Sequence, residues 1–183
     1  MVKVSHAHTV FKEELVVEAA MISIKGNSFQ RQRLKREDAA AVLLLNTDTN
    51  HIILTRQFRY AVHDKTEEDF LEIIAGKVDQ DETPVKAAIR ETLEETGYRV
   101  HETNMQLLMS CFSTPGYSSE CFYLYYATVT DKDKTGEGGG LKEENESIEV
   151  VELDAGAFIS MVKSGALKDC KTCVAGLYFA NYL

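Results

Sequence analysis

The pattern of apolar and polar positions divides the chain into recognisable elements. Residues 39–45 form a nearly continuous apolar run, which predicts a strand buried on both faces. Residues 46–50 read as a turn and 51–57 as a second strand carrying Ile52, Ile53 and Leu54. Residues 70–74 predict a third strand, and Val100 begins a further short one. Residues 107–112 and 121–129, rich in β-branched and aromatic side chains, predict two more, and 148–153 the last. Upstream, residues 15–25 alternate in part, Gly26-Asn27 interrupts them, and 29–34 alternate again, as in a hairpin. His6 and His8 fall in a polar leader expected to fray.

Helical spacing appears in three places. Between Thr83 and Gly97, Val85, Ala88, Ile89 and Thr92 recur on one stripe. Thr83 suits the N-cap, Pro84 the first helical position and Gly97 the residue past the end. Residues 158–163 and 172–182 predict two terminal helices. Strands on either side of one central helix, closed by helices, describe a mixed α/β domain. Residues 131–147, with Gly136, Gly138, Gly139 and Gly140, read by composition as a solvated linker.

The 183 residues suffice for one well-buried domain with a small appendage. The expected division is an N-terminal β segment over residues 1–36 and a main domain over 37–183. A net charge of −9 disfavours nucleic acid or an anionic membrane surface as partner. Residues 1–10 lack the apolar core of a signal peptide, and no apolar run is long enough to span a bilayer. Cys111, Cys121, Cys170 and Cys173 form no dense framework. The Cys170-x-x-Cys173 pair reads as packing thiols, and a reducing, cytoplasmic setting is expected.

Chemistry concentrates on the central helix. Glu91, Glu94 and Glu95 sit three and four apart, so their carboxylates crowd one stretch of surface. A hard divalent cation would neutralise them, and a solvated acidic face would also carry them. Arg90 lies four residues before Glu94 and can steady it. The spacing is more specific than the charges. Gly76-x5-Glu82-x7-Arg90-Glu91-x-x-Glu94-Glu95-x-Gly97 resembles the Nudix box, the signature of hydrolases that cleave a nucleoside diphosphate linked to another moiety. Thr92 stands at one of its apolar positions.

The resemblance extends over most of the chain. Gln57-Phe58-Arg59, Ser113-Thr114-Pro115-Gly116, Ser119-Glu120 and Glu144-Asn145-Glu146-Ser147-Ile148 are similar to the nucleotide-sugar branch. Pro115 resembles the ADP-ribose pyrophosphatases, whereas Gly138-Gly139-Gly140 and residues 167–172 resemble the GDP-mannose pyrophosphatases. The resemblance implies an α/β/α sandwich with a mixed sheet, and a homodimer formed through the N-terminal β segment. It implies Mg²⁺ or Mn²⁺, one to three ions, held by Glu91, Glu94, Glu95, the Ala75 carbonyl and Glu146. Glu144 is the implied general base, with Glu120 its rival, and Arg90 belongs to the catalytic set. Lys35, Glu37, Arg59, Ala75, Gly76, Lys77, Glu120 and Lys171 are implied substrate contacts. Tyr60, Phe112 and Tyr117 could stack on a base or fill the core. The expected reaction converts a nucleoside diphosphate sugar to a nucleoside monophosphate and a sugar phosphate. Alternatives are hydrolysis of dinucleotides or oxidised nucleotides, and a ligand-binding domain without turnover.

Overall fold

The computed structural model describes residues 1–66, 69–141 and 147–183. The chain forms two compact units: Met1–Asp38 with Cys111–Phe122, and Ala39–Ser110 with Tyr123–Leu183.

The first unit is built on an antiparallel sheet of β1 (Val2–Lys12), β2 (Val16–Ile24) and β3 (Asn27–Lys35), in that order. The expected hairpin is present. Lys25 (φ 50°) and Gly26 (φ 86°) are its two loop residues, the left-handed pair that matches strand twist. The expected frayed leader is instead β1, exposed along its whole length. Val2, Val4 and Val10 favour extended backbone, and pairing to β2 supplies the hydrogen bonds, with register shifts between Ser5 and His8 and between Thr9 and Phe11. At the far end of β3, Leu34 donates to the Tyr117 carbonyl (2.7 Å) and accepts from Ser119 N–H (3.0 Å).

The second sheet runs β10 (Glu149–Asp154), β5 (His51–Gln57), β4 (Ala39–Asn46), β9 (Cys121–Val129), β8 (Gln106–Phe112). β6 (Phe70–Glu72) pairs with β5, and β7 (Ile74–Lys77) with β4. On β4, Ala40, Val42 and Leu44 join the core against α1 (Pro84–Thr96). Ala41 and Leu43 on the opposite face are equally buried, which is why this strand reads as an unbroken apolar run. α2 (Ala155–Ser164) and α3 (Cys170–Tyr182) close the unit, packed on each other where Gly176 meets Phe158 and Val162. This is the mixed α/β architecture expected.

Four expectations need correction. The strand over 70–74 is two strands, because the Ile73 N–H leaves the ladder for the Thr172 hydroxyl (2.9 Å). No strand begins at Val100; Tyr98 makes an isolated bridge to Lys134, and the polar run Glu102–Asn104 forms a 3₁₀ turn. Thr83 is extended at the N-cap position, but its side chain makes no capping bond. The buried stripe of α1 is Ala87, Ala88, Glu91, Thr92, Glu95 and Thr96, with Val85 and Ile89 only half-buried. Thr92 is accommodated at its apolar position because its hydroxyl donates to the Ala88 carbonyl (2.6 Å).

Candidate active site

Two carboxylates, Glu91 and Glu95, point into the protein rather than to water, at 9% and 2% exposure. A solvated acidic face is therefore the wrong reading for them. β7 supplies the opposing wall: a Cβ at Gly76 would overlap the Glu91 carboxyl group, so only glycine leaves room for that carboxylate against the backbone.

Arg90 ties the box together. Its Nη1 donates to Glu91 (2.7 Å) and Glu94 (3.0 Å), and its Nη2 donates to Glu82 (3.0 Å) and the Lys77 carbonyl (2.9 Å). Nε donates to the other Glu82 oxygen at 3.2 Å. The Glu82 hydrogen bonds, followed by those of Glu91 and Glu94, outweigh burial and raise the guanidinium pKa further above its ordinary value. Arg90 reciprocally holds Glu82 below the usual carboxylate range. One fork thus spans the loop before α1 and two of the three clustered glutamates.

A second assembly lies where β6 meets α3. Glu72, 2% exposed, accepts both arms of Arg59 (2.6 and 3.0 Å) and the Lys171 ammonium (3.5 Å). Lys171 also bonds Asp169 (2.8 Å), and Asp169 caps α3 by accepting from the Thr172 N–H and hydroxyl. Burial opposes the charge on Arg59 and on Lys171. Glu72 outweighs it for Arg59, and Asp169 with Glu72 for Lys171, so both cations stay charged above their ordinary range. Glu95 also contributes to the field at Arg59. Burial likewise pushes Asp169 up, but Lys171 and Thr172 prevail and leave it below the usual aspartate range.

The expected site residues divide between the units. Arg59, Ala75, Gly76, Lys77, Arg90, the three box glutamates and Lys171 belong to the second unit. Lys35, Glu37 and Glu120 belong to the first. There Lys35 pairs with Glu18 (3.2 Å), Glu120 pairs with Arg36 (3.4 Å) and accepts from Ser113 (2.9 Å), and Glu37 is exposed. Glu144 and Glu146 lie outside the described residues. Tyr60, Phe112 and Tyr117 are exposed at 83%, 60% and 60%, so the core reading fails for all three. Glu72 and Asp169 were missed. The available signal was a lone carboxylate in the apolar run over 70–74, where a buried charge demands a cation.

Residues 131–141 also differ from the solvated linker expected. Asp131 N–H donates to Asp48 (3.0 Å), Thr135 N–H to Gly97 O (2.8 Å), Gly139 N–H to Glu95 O (2.9 Å) and Gly140 N–H to Glu94 O (3.1 Å). The glycines let this segment lie directly on the end of α1.

No group of three or more His, Cys, Asp or Glu side chains is gathered in metal-binding geometry among the described residues. Arg90 occupies Glu91 and Glu94 instead. The donor chemistry nevertheless fits a hard cation: carboxylates one helical turn apart, held on a buried face against a glycine that leaves them space.

The NUDIX domain profile matches residues 35–165. The GDP-mannose pyrophosphatase of Escherichia coli (strain K12) is 35% identical over 156 residues, 84% of this chain and 77% of that protein. The GDP-mannose pyrophosphatase of Cronobacter sakazakii (strain ATCC BAA-894) is 35% identical over 145 residues, 78% of this chain and 73% of that protein. That of Shigella flexneri is 34% identical over 156 residues.

Proposed function

The chain belongs to the Nudix family and is a hydrolase acting on pyrophosphate bonds, and from that premise we propose that its substrate is a nucleoside diphosphate sugar, GDP-mannose before ADP-ribose, and its cofactor Mg²⁺ or Mn²⁺. The observation that carries this reading is the pairing of two assemblies in one unit: carboxylates bound through Arg90, and two partly exposed cations held by the buried Glu72. The names of the relatives support GDP-mannose, and so do Gly138-Gly139-Gly140.

In this reading Glu91 and Glu95, with Glu94, the Ala75 carbonyl and Glu146, hold the metal. When bound, the metal offsets charge on the pyrophosphate oxygens and favours deprotonation of the attacking water. Arg59 and Lys171 present fixed positive charge to the phosphates, and a guanidinium fork suits a phosphoryl oxygen pair. Lys35, Glu37, Gly76 and Lys77 are the remaining substrate contacts. Glu144, with Glu120 as rival, accepts the proton of the water. The water oxygen bonds to one phosphorus as the bridging P–O bond breaks, and nucleoside monophosphate and sugar phosphate leave. Residues 1–36 serve as a dimer-forming segment of a homodimer and 37–183 as the catalytic domain. The fully exposed β1, with Val2, Val4, Val10 and Phe11 on it, supports the dimer. The free cysteines support a reducing, cytoplasmic setting, and among the described residues no helix is long and apolar enough to cross a membrane.

The test is a panel of GDP-mannose, ADP-ribose, ADP-glucose and diadenosine compounds with Mg²⁺, read by monophosphate release. GDP-mannose should turn over, and Glu95→Gln should abolish turnover with the thermal melt intact. Silence across the panel would favour ligand binding without catalysis. Full activity in Glu95→Gln would remove the metal assignment.

A further inference from the structure

Three of the carboxylates assigned to metal sit on α1, and two of them, Glu94 and Glu95, are on its last turn. That is an unfavourable place for them. The end of a helix carries unsatisfied carbonyls and a partial negative charge. The last turn of α1 holds no basic residue, so Glu94 and Glu95 add like charge where the dipole already opposes it. A last turn in this condition needs donors for its carbonyls, because carboxylates on a frayed turn would have no fixed direction.

The segment Gly136 to Gly140 meets this problem directly. Gly139 N–H donates to the Glu95 carbonyl (2.9 Å) and Gly140 N–H to the Glu94 carbonyl (3.1 Å). Those are the backbone carbonyls of the two carboxylate residues themselves. Gly97 closes the Leu93 carbonyl (2.9 Å), and Thr135 and Gly136 N–H both donate to the Gly97 carbonyl (2.8 and 3.2 Å). Arg99 N–H to Asp133 O (2.9 Å) and the Tyr98–Lys134 bridge extend the seam past the helix end. Ile148 N–H donates to the Gly139 carbonyl (3.3 Å), which fixes the segment from its other side. The approach requires glycine. Gly138 has φ 72°, and a Cβ there would overlap the Glu95 carbonyl oxygen and Thr96. Gly97 is at φ 75°, and its Cβ would overlap the Gly136 carbonyl.

We propose that the strap 136–140 is a positioning device for the metal-binding carboxylates: it caps the acidic end of α1 with backbone N–H groups and thereby holds Glu94 and Glu95 in the direction that binds the cation. This rests on the reading that Glu94 and Glu95 are metal ligands. Gly138 acts through the helix end and touches neither metal nor substrate.

A paired substitution separates this role from ordinary backbone strain. Gly165, past the end of α2, has the same φ of 72° but open space around its would-be Cβ. Gly138→Ala and Gly165→Ala therefore carry the same left-handed strain, and only the first lifts the strap. Mn²⁺ binding without substrate is read by electron paramagnetic resonance of the free ion, beside the melting curve of each variant. Gly138→Ala should weaken Mn²⁺ roughly 10–100-fold, while Gly165→Ala binds as wild type and loses only thermal stability. Equal Mn²⁺ affinity in the two variants would overturn the strap while leaving the metal ligands standing. Wild-type protein that binds no Mn²⁺ would overturn the metal reading and the strap with it. Native-state hydrogen exchange of the wild type gives a check that needs no variant to fold. The Gly139 and Gly140 amides should be protected as strongly as those of α1, and exchange at the rate of an open loop would overturn the proposal.

Discussion

Glu72→Gln removes the negative charge that Arg59 and Lys171 share while keeping the shape of the side chain. The carboxylate is 3% exposed, against 41% for the Arg59 side chain and 22% for Lys171. Breaking a fully buried ion pair costs roughly 3–5 kcal/mol, because the surviving charge is stranded. Here water reaches the outer edge of Arg59 and Asp169 still holds Lys171, so about 2 kcal/mol is expected. For a chain of this size that lowers Tm by roughly 4–8 °C. Differential scanning calorimetry at neutral pH measures it. Combining Glu72→Gln with Lys171→Met should cost less than the two single changes added together, since the ammonium that Glu72 would strand is gone; a coupling of about 1 kcal/mol is expected. On the proposed function the same variant should raise KM for the nucleotide sugar, because Arg59 loses its bidentate anchor. A wild-type Tm together with strict additivity in the cycle would refute the reasoning. The two cations would then be held by something other than Glu72.

Gly76→Ala places a Cβ on the Glu91 carboxyl group, so that carboxylate must swing away and its Arg90 contact must break. Mn²⁺ affinity should fall roughly 10–100-fold; titration showing unchanged affinity would mean Glu91 is not a ligand. Asp169 lies below the ordinary aspartate range, so its contribution to stability is present at neutral pH and is lost as pH falls through that depressed value. Asp169→Asn, which can still cap α3, should therefore flatten the acid limb of a Tm-against-pH series, and an unchanged limb would show that Asp169 does not drive it.

The elements that were legible in the sequence are those whose pattern has a single physical meaning. An apolar run as short as 39–45 suits a strand covered on both faces, and α1 carries its proline and glycine at the two ends where they are compatible. The box was legible because its spacing, not its composition, specifies which groups meet. What escaped was set by tertiary pairing. The break at Ile73 depends on the Thr172 hydroxyl, 99 positions away in the chain, and no local pattern announces it. β1 has no buried residue, so burial periodicity could not reveal it. The glycine-rich run was misread because glycine is common both in solvated linkers and where backbones touch. Only the positions of the Glu94 and Glu95 carbonyls distinguish the two cases. Glu72 was visible as a charge in an apolar strand, but not the identity of the cations that meet it.

The arrangement of charge also explains how an acidic protein, with net charge −9, can bury carboxylates at a site meant for a more acidic ligand. A carboxylate turned into the protein needs a cation beside it, because an unpaired charge in the interior is costly. Arg90 supplies one at Glu91 and Glu94, and Glu95 contributes to the field that keeps Arg59 charged. Glu72 and Asp169 pair with Arg59 and Lys171, and on the proposed function the partly wet edge of Arg59 is left to meet a phosphate. Glu91, Glu94, Arg59 and Lys171 are thus each paired with an opposite charge before any ligand arrives. On the proposed function, binding of a pyrophosphate exchanges one set of ionic partners for another instead of creating charge contacts in a dry site, which keeps the desolvation cost of that step small.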